Sequence, residues 1–219
     1  DVIVALDEAY FEYVNEADCC NGLTLLAAYP NIVIIRTFSK AYGLAALRVG
    51  YGVSSVEIAD LMNRVRPPFN VNSFALSAAI ATLSDDDYVA ESKAVNDAGM
   101  LYLTQSFEQL GLPYIPSVAN FISFEIPSAF NNNNNNKNNK NNKNNKNNKN
   151  NKNNNKPAGI SAVEVNASFV NESLLAAGVI IRSVANYAMP NHLRVSIGTQ
   201  SENETFITAL TKILLDARS

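Results

Sequence analysis

The chain has 219 residues and a formal charge of −3, but residues 131–156 contain only Asn and Lys and hold seven of the 17 basic residues, leaving 10 basic against 20 acidic elsewhere. An acidic globule argues against nucleic acid as the partner of the folded part. Two adjacent cysteines (Cys19, Cys20) and one histidine (His192) supply neither a disulfide framework nor a metal site, and with no signal peptide and no apolar run of roughly 20 residues to span a bilayer, a soluble cytoplasmic protein is expected.

In chain order, Val2–Leu6 is apolar throughout and reads as a buried strand. It starts without a cap or leading turn, and a buried strand needs neighbours for its backbone groups, so the chain is expected to begin inside a domain. Ile32–Arg36 is a second β-branched run of the kind covered on both faces, and Val49–Val53 a third strand. Ser54-x-x-Glu57 reads as a capping box before a helix over Val56, Ile58, Leu61, Met62 and Val65, which Pro67-Pro68 ends. Residues 73–83 and 85–110 read as two further helices, with Gly111 placed to end the second. Beyond it the pattern predicts a strand at 121–126, a helix near 162–176, strands at 179–182 and 193–197, and a last helix over Phe206, Leu210, Ile213 and Leu214. The expected fold class is α/β: part of a large α/β domain over 1–84, then a smaller α+β domain over 85–219.

The Asn/Lys tract interrupts that second domain. Lys recurs at every third position from Lys137 to Lys152, which does not match a helical period, and Asn is a poor helix former. It reads as a disordered loop insertion; the alternative is a basic arm for an acidic partner.

Two segments carry chemistry. Thr37-Phe38-Ser39-Lys40-Ala41-Tyr42-Gly43 follows a strand directly, and a lysine shielded there could act as a nucleophilic amine. Thr37, Ser39 and Arg48 offer hydroxyl and guanidinium donors for a phosphate. A solvated loop lysine is the plain alternative for Lys40. Asp7-Glu8-Ala9-Tyr10 closes the first strand; a carboxylate there could keep a pyridinium nitrogen protonated, or simply cap a loop.

Together these segments resemble the fold-type I pyridoxal-phosphate (PLP) enzymes, and among them the histidinol-phosphate aminotransferase family. The resemblance runs through Asp7–Tyr10, Arg36–Lys40, Gly43–Gly50, Val118-Ala119-Asn120-Phe121, Gly178–Arg182 and Leu193–Thr199, in that order. It implies that Lys40 forms the Schiff base with PLP and shuttles the proton, Asp7 pairs with the pyridine nitrogen and Tyr10 with the ring oxygen. Thr37, Ser39 and Arg48 would hold the cofactor phosphate. Arg194 would grip the substrate α-carboxylate in a bidentate fork, with Asn120 beside it and Arg182 on a substrate phosphate.

The implied reaction is amino transfer between histidinol phosphate and 2-oxoglutarate in histidine biosynthesis, by a homodimer acting on amino-acid and 2-oxo-acid substrates. Aromatic or broad-specificity aminotransfer and decarboxylation of a phosphorylated amino acid share these residues and remain alternatives, as does a non-catalytic remnant. The family's Gly-rich phosphate loop, ring-stacking aromatic residue and asparagine to the phenolic oxygen are absent from this sequence, so the chain corresponds to the C-terminal part of such an enzyme.

Overall fold

In the computed structural model of the chain, which describes residues 2–127 and 165–217, the two apolar runs become neighbouring parallel strands. β1 (Val4–Asp7) pairs with β2 (Ile32–Thr37) from Val4↔Ile32 to Asp7↔Ile35, and β3 (Gly50–Ser54) runs antiparallel to β2, ending on Thr37↔Gly50. The Asn/Lys tract and the first residues of the helix predicted near 162 lie outside the described residues.

The strand order is β1-β2-β3, and this corrects one expectation. Ile32, Val33 and Ile34 are buried, but Val4 is 41% and Ile35 43% exposed. Among the described residues β1 has β2 as its one strand neighbour, so as an edge strand it keeps open the apolar surface that its composition suits to burial.

Helix α1 (Val56–Val65) follows β3 at once. Its cap is Ser55, whose hydroxyl accepts from the Ile58 N–H, and not Ser54, which lies in β3 and donates to the Ser55 carbonyl. The expected capping box therefore fails by one residue, since Glu57 falls at the second helical position and not the third. Asn72 caps α2 (Ser73–Thr82) through the Ala75 N–H at 2.9 Å. Phe38, Val49, Ala75 and Ala79 form a buried cluster, with Tyr42, Leu44, Leu47 and Val71 against it. The segment that carries Lys40 is thus anchored through Phe38.

Helix α3 (Asp86–Leu110) ends as expected at Gly111. With φ +68° there, the Leu112 N–H reaches back to the Phe107 carbonyl and the Gly111 N–H to that of Glu108. These are the two bonds of a Schellman ending. The residues divide into two units: one runs to Leu101 with Ser117–Phe121 and Ile197–Thr199, the other holds the remainder.

In the second unit β4 (Tyr114–Ile115), β5 (Phe121–Glu125), β6 (Arg182–Ser183) and β7 (His192–Ser196) form a sheet ordered β4-β5-β7-β6. Helices α4 (Ala167–Ala176) and α5 (Gln200–Asp216) pack on each other, and α4 also meets β6 and β7. Phe107 stacks on Phe124 at 4.7 Å between ring centroids, and Phe206 lies 6.2 and 5.9 Å from the two. Phe124 is fully buried, so its truncation to Ala costs about 3–5 kcal/mol. The strand predicted over 179–182 shrinks to Arg182–Ser183, because the Val179 N–H bonds the Leu174 carbonyl to close α4 and Ile180 stays exposed.

Candidate active site

Because β1 and β2 are parallel and in register, the segments that follow them leave the sheet at the same edge. The ladder goes one step further, with the Glu8 N–H on the Ile35 carbonyl at 2.9 Å. Asp7 Oδ1 then accepts from the Ala9 N–H at 3.1 Å, a local turn that Asp favours. The chain tightens into a single 3-10 turn over Phe11–Tyr13. Tyr10 is half-buried there, edge-on to Phe121 at 5.6 Å and 77°.

Lys40 comes from the other strand end. It is half-buried, with Nζ 5.1 Å from the centroid of the Tyr10 ring. A cation over an aromatic face is held by about 0.5–1 kcal/mol at such sites. Lys40 and Tyr10, 30 positions apart in sequence, are therefore brought together by strand pairing.

Thr37, Ser39 and Arg48 come together as well. All three line an open cleft of about 460 Å³, with Gly50, Tyr51 and Gly52. The Thr37 hydroxyl accepts from the Ser39 N–H at 3.1 Å, which fixes the bend after β2. Arg48 adopts left-handed backbone (φ 55°) and its guanidinium donates to the Ala45 carbonyl at 2.9 Å. That backbone costs a non-glycine residue of order 1 kcal/mol, and such strain clusters at ligand sites. A Cβ at Gly50 would stand 2.7 Å from the Arg36 carbonyl oxygen, so close strand approach requires glycine there. Two hydroxyls and a guanidinium around one cleft suit a phosphate.

Glu8 and Arg36 lie within the two motif segments without a role there, and the fold pairs them. Arg36 donates to Glu8 Oε2 through Nε (2.9 Å) and Nη2 (2.8 Å), and through Nη2 to Asn21 Oδ1 at 3.0 Å. Its guanidinium lies 4.2 Å over the Phe11 ring. Glu8 Oε1 accepts from the Gly22 N–H at 2.6 Å. Both side chains are about nine-tenths buried. Burial works against the Arg36 charge, but the hydrogen bonds and charges of Glu8 and, less strongly, Tyr51 together offset it and hold the guanidinium pKa above its ordinary value. The available signal was a charged residue inside each of two apolar strand ends. Next to this pair, burial raises the pKa of Glu12, against the smaller opposing effects of its own backbone hydrogen bond and of Arg36.

The three residues expected on the substrate side are spread over both units. Asn120 accepts from the Ile197 N–H through its carbonyl at 2.9 Å and lines a second cleft of about 360 Å³ with Tyr13, Tyr88, Ser92 and Asn96. Arg182 and Arg194 are direct partners across β6 and β7. Directly paired residues share one face of a sheet, so this pair presents two cations together. Arg182 is exposed and donates to the Tyr187 hydroxyl at 3.5 Å. Among the described residues no group of three or more His, Cys, Asp or Glu side chains is placed to hold a metal, and no helix is long and apolar enough to cross a membrane.

The family description "Aminotransferase class I and II" matches residues 1–210. Histidinol-phosphate aminotransferase 2 of Pseudomonas fluorescens (strain Pf-5) is 47% identical over 216 residues, covering 99% of this chain and 48% of the relative. Histidinol-phosphate aminotransferase 1 of Nitrosococcus oceani is 45% identical over 217 residues, with 99% and 49% covered. The chain thus spans about half the length of the curated relatives it matches. Among solved structures, histidinol-phosphate aminotransferase from Sinorhizobium meliloti in complex with pyridoxal-5'-phosphate superposes with a TM-score of 0.73 at 25% identity, over 98% of this chain and 49% of that one. The enzyme of the same name from Clostridium acetobutylicum gives 0.74 at 21% identity, over 97% and 54%, which speaks to the fold alone.

Proposed function

From a chain that belongs to the class I and II aminotransferase family, we propose the C-terminal portion of a PLP-dependent histidinol-phosphate aminotransferase, in which residues 1–84 complete the cofactor-binding domain and 85–219 form the smaller domain. The observation that carries this reading is the meeting of Lys40 Nζ with the Tyr10 ring at the shared edge of two parallel strands. The donor set also fits the cofactor: Thr37, Ser39 and Arg48 around one cleft match a phosphate, and Asp7 at the end of β1 supplies a carboxylate for a pyridine nitrogen.

When bound, PLP supplies an electron sink for the bond broken at the substrate Cα. The chain's own residues do the rest. Lys40 would hold the cofactor and, as general base and acid, would move the proton at the substrate Cα. Asp7 would keep the ring nitrogen protonated, and the Tyr10 hydroxyl would donate to the ring oxygen. Arg194 binds the substrate α-carboxylate beside Asn120, and Arg182, its partner across the sheet, binds the substrate phosphate. The relatives' shared name supports histidinol phosphate as amino donor, with 2-oxoglutarate as acceptor. A cytoplasmic homodimer is the form we assign to the whole enzyme.

Borohydride reduction of the whole gene product with PLP, followed by peptide mapping, should place the label on Lys40. Label on Lys93 or Lys212 would overturn the assignment. Lys93 Nζ already donates to the Tyr13 carbonyl at 2.8 Å. Lys40→Ala should abolish the label and lower transamination by orders of magnitude, since carrier and proton shuttle are lost together.

A further inference from the structure

We propose that the Glu8–Arg36 pair is a positioning clamp that sets the alignment of Asp7 and Tyr10 against Thr37 and Lys40, and that its two-point geometry, beyond its charge, is what the cofactor site depends on. The inference rests on the reading of Lys40 as the PLP lysine.

Glu8 is the residue after Asp7 and two before Tyr10; Arg36 is the residue before Thr37 and four before Lys40. The pair therefore joins the two site segments at their roots. Among the described residues β1 pairs with β2 alone, and past Asp7 their ladder continues through the Glu8 N–H bond to the Ile35 carbonyl. Beyond that point the two segments could splay or twist apart, and Arg36 prevents it. Its Nε and Nη2 converge on Oε2 while the Gly22 N–H holds Oε1, so the guanidinium and the carboxylate are fixed in orientation as well as separation.

Neither partner is free to follow a moving neighbour. Glu8 is held from the far side by the Gly22 N–H, and Arg36 by Asn21 and the Phe11 ring. Asn21 is itself fixed, because Oδ1 also accepts from the Leu23 N–H at 3.1 Å. A side chain at Gly22 would stand 2.7 Å from Glu8 Oε1, so the loop is packed hard against the clamp. The result is a fixed pair at the roots of both site segments, with Arg36 also lining the cleft of Thr37, Ser39 and Arg48. Misplacement by about an ångström is enough to cost a catalytic constellation about a hundredfold.

The test compares Glu8→Gln, Arg36→Lys and Asn21→Ala with Arg64→Met, which breaks the exposed Asp60–Arg64 pair, all in the whole gene product. For each, PLP affinity is measured by fluorescence well below the unfolding midpoint, and the absorbance of the lysine-linked cofactor is titrated with pH. Glu8→Gln keeps the shape and Arg36→Lys keeps the charge, so both are chosen to fold; Asn21→Ala removes a single support. Expected are a PLP affinity weaker by about tenfold or more in the first two, a smaller loss in Asn21→Ala, a displaced pH profile, and no change in Arg64→Met. Arg36→Lys with parental affinity and a parental pH profile would show that charge alone suffices and overturn the clamp. So would variants whose only change is a lower melting temperature. If the parent itself carries no label on Lys40, the functional reading fails first and separately.

Discussion

Tyr10 offers a way to separate what a ring does from what its hydroxyl does. In Tyr10→Phe the ring keeps its edge contact with Phe121 and its place under Lys40 Nζ, so folding stability should change by less than about 0.5 kcal/mol. PLP affinity should fall about tenfold, the loss of one hydrogen bond to a partly charged oxygen. Tyr10→Ala removes the ring as well. The aromatic pair is worth about 0.5–1.5 kcal/mol, the cation contact about 0.5–1, and the half-buried side chain about 1 more. Destabilisation of about 2–3.5 kcal/mol is therefore expected, on top of weaker binding. Urea unfolding at fixed pH, paired with fluorescence titration by PLP, measures both quantities. Two results would refute the reasoning: Tyr10→Phe binding PLP like the parent, or Tyr10→Phe losing as much stability as Tyr10→Ala.

Three further outcomes are expected. Gly111→Ala meets no atom within 4 Å of the added carbon, so its cost is the left-handed backbone alone, about 1 kcal/mol, read from the urea midpoint; a loss above about 3 kcal/mol would mean that α3 ends differently. Burial raises the Glu12 pKa above its ordinary value of 4.5, so the folded state holds this proton more tightly than the unfolded one. Its contribution is present below 4.5 and is lost as pH rises from there through the raised value, and the Glu12→Gln variant should flatten that part of a stability-against-pH profile measured by urea unfolding. The 219-residue chain expressed alone should bind a hydrophobic dye and self-associate in light scattering, because Val2, Ile3, Phe69 and Phe74 are 73%, 60%, 97% and 81% exposed; it should also fail to transaminate in a coupled glutamate assay.

Much of the architecture was legible because it is written in local rules. The apolar runs at 2–6 and 32–36 have one reading as strands, and Gly111 after a periodic apolar stripe has one reading as a helix end. The Lys40 and Asp7 segments stand out because charged and hydroxyl residues close apolar strands. What local rules could not decide were choices between neighbours of equal propensity and contacts between distant segments. Ser54 and Ser55 are equally good caps, and the choice fell to Ser55 because pairing with Val33 draws Ser54 into β3. Val179-Ile180 has strand composition, but its first N–H is taken by the end of α4.

The residue types at the strand ends set which chemistry is available there, and they are legible without any fold. Which of them meet follows from the fold: Lys40 lies over Tyr10, Thr37, Ser39 and Arg48 share a cleft, and Glu8 and Arg36 close on each other. Residue type fixes charge and hydrogen-bonding capacity locally, whereas proximity across 28 positions is set by the parallel register of β1 and β2, and nothing in either segment read alone specifies that register.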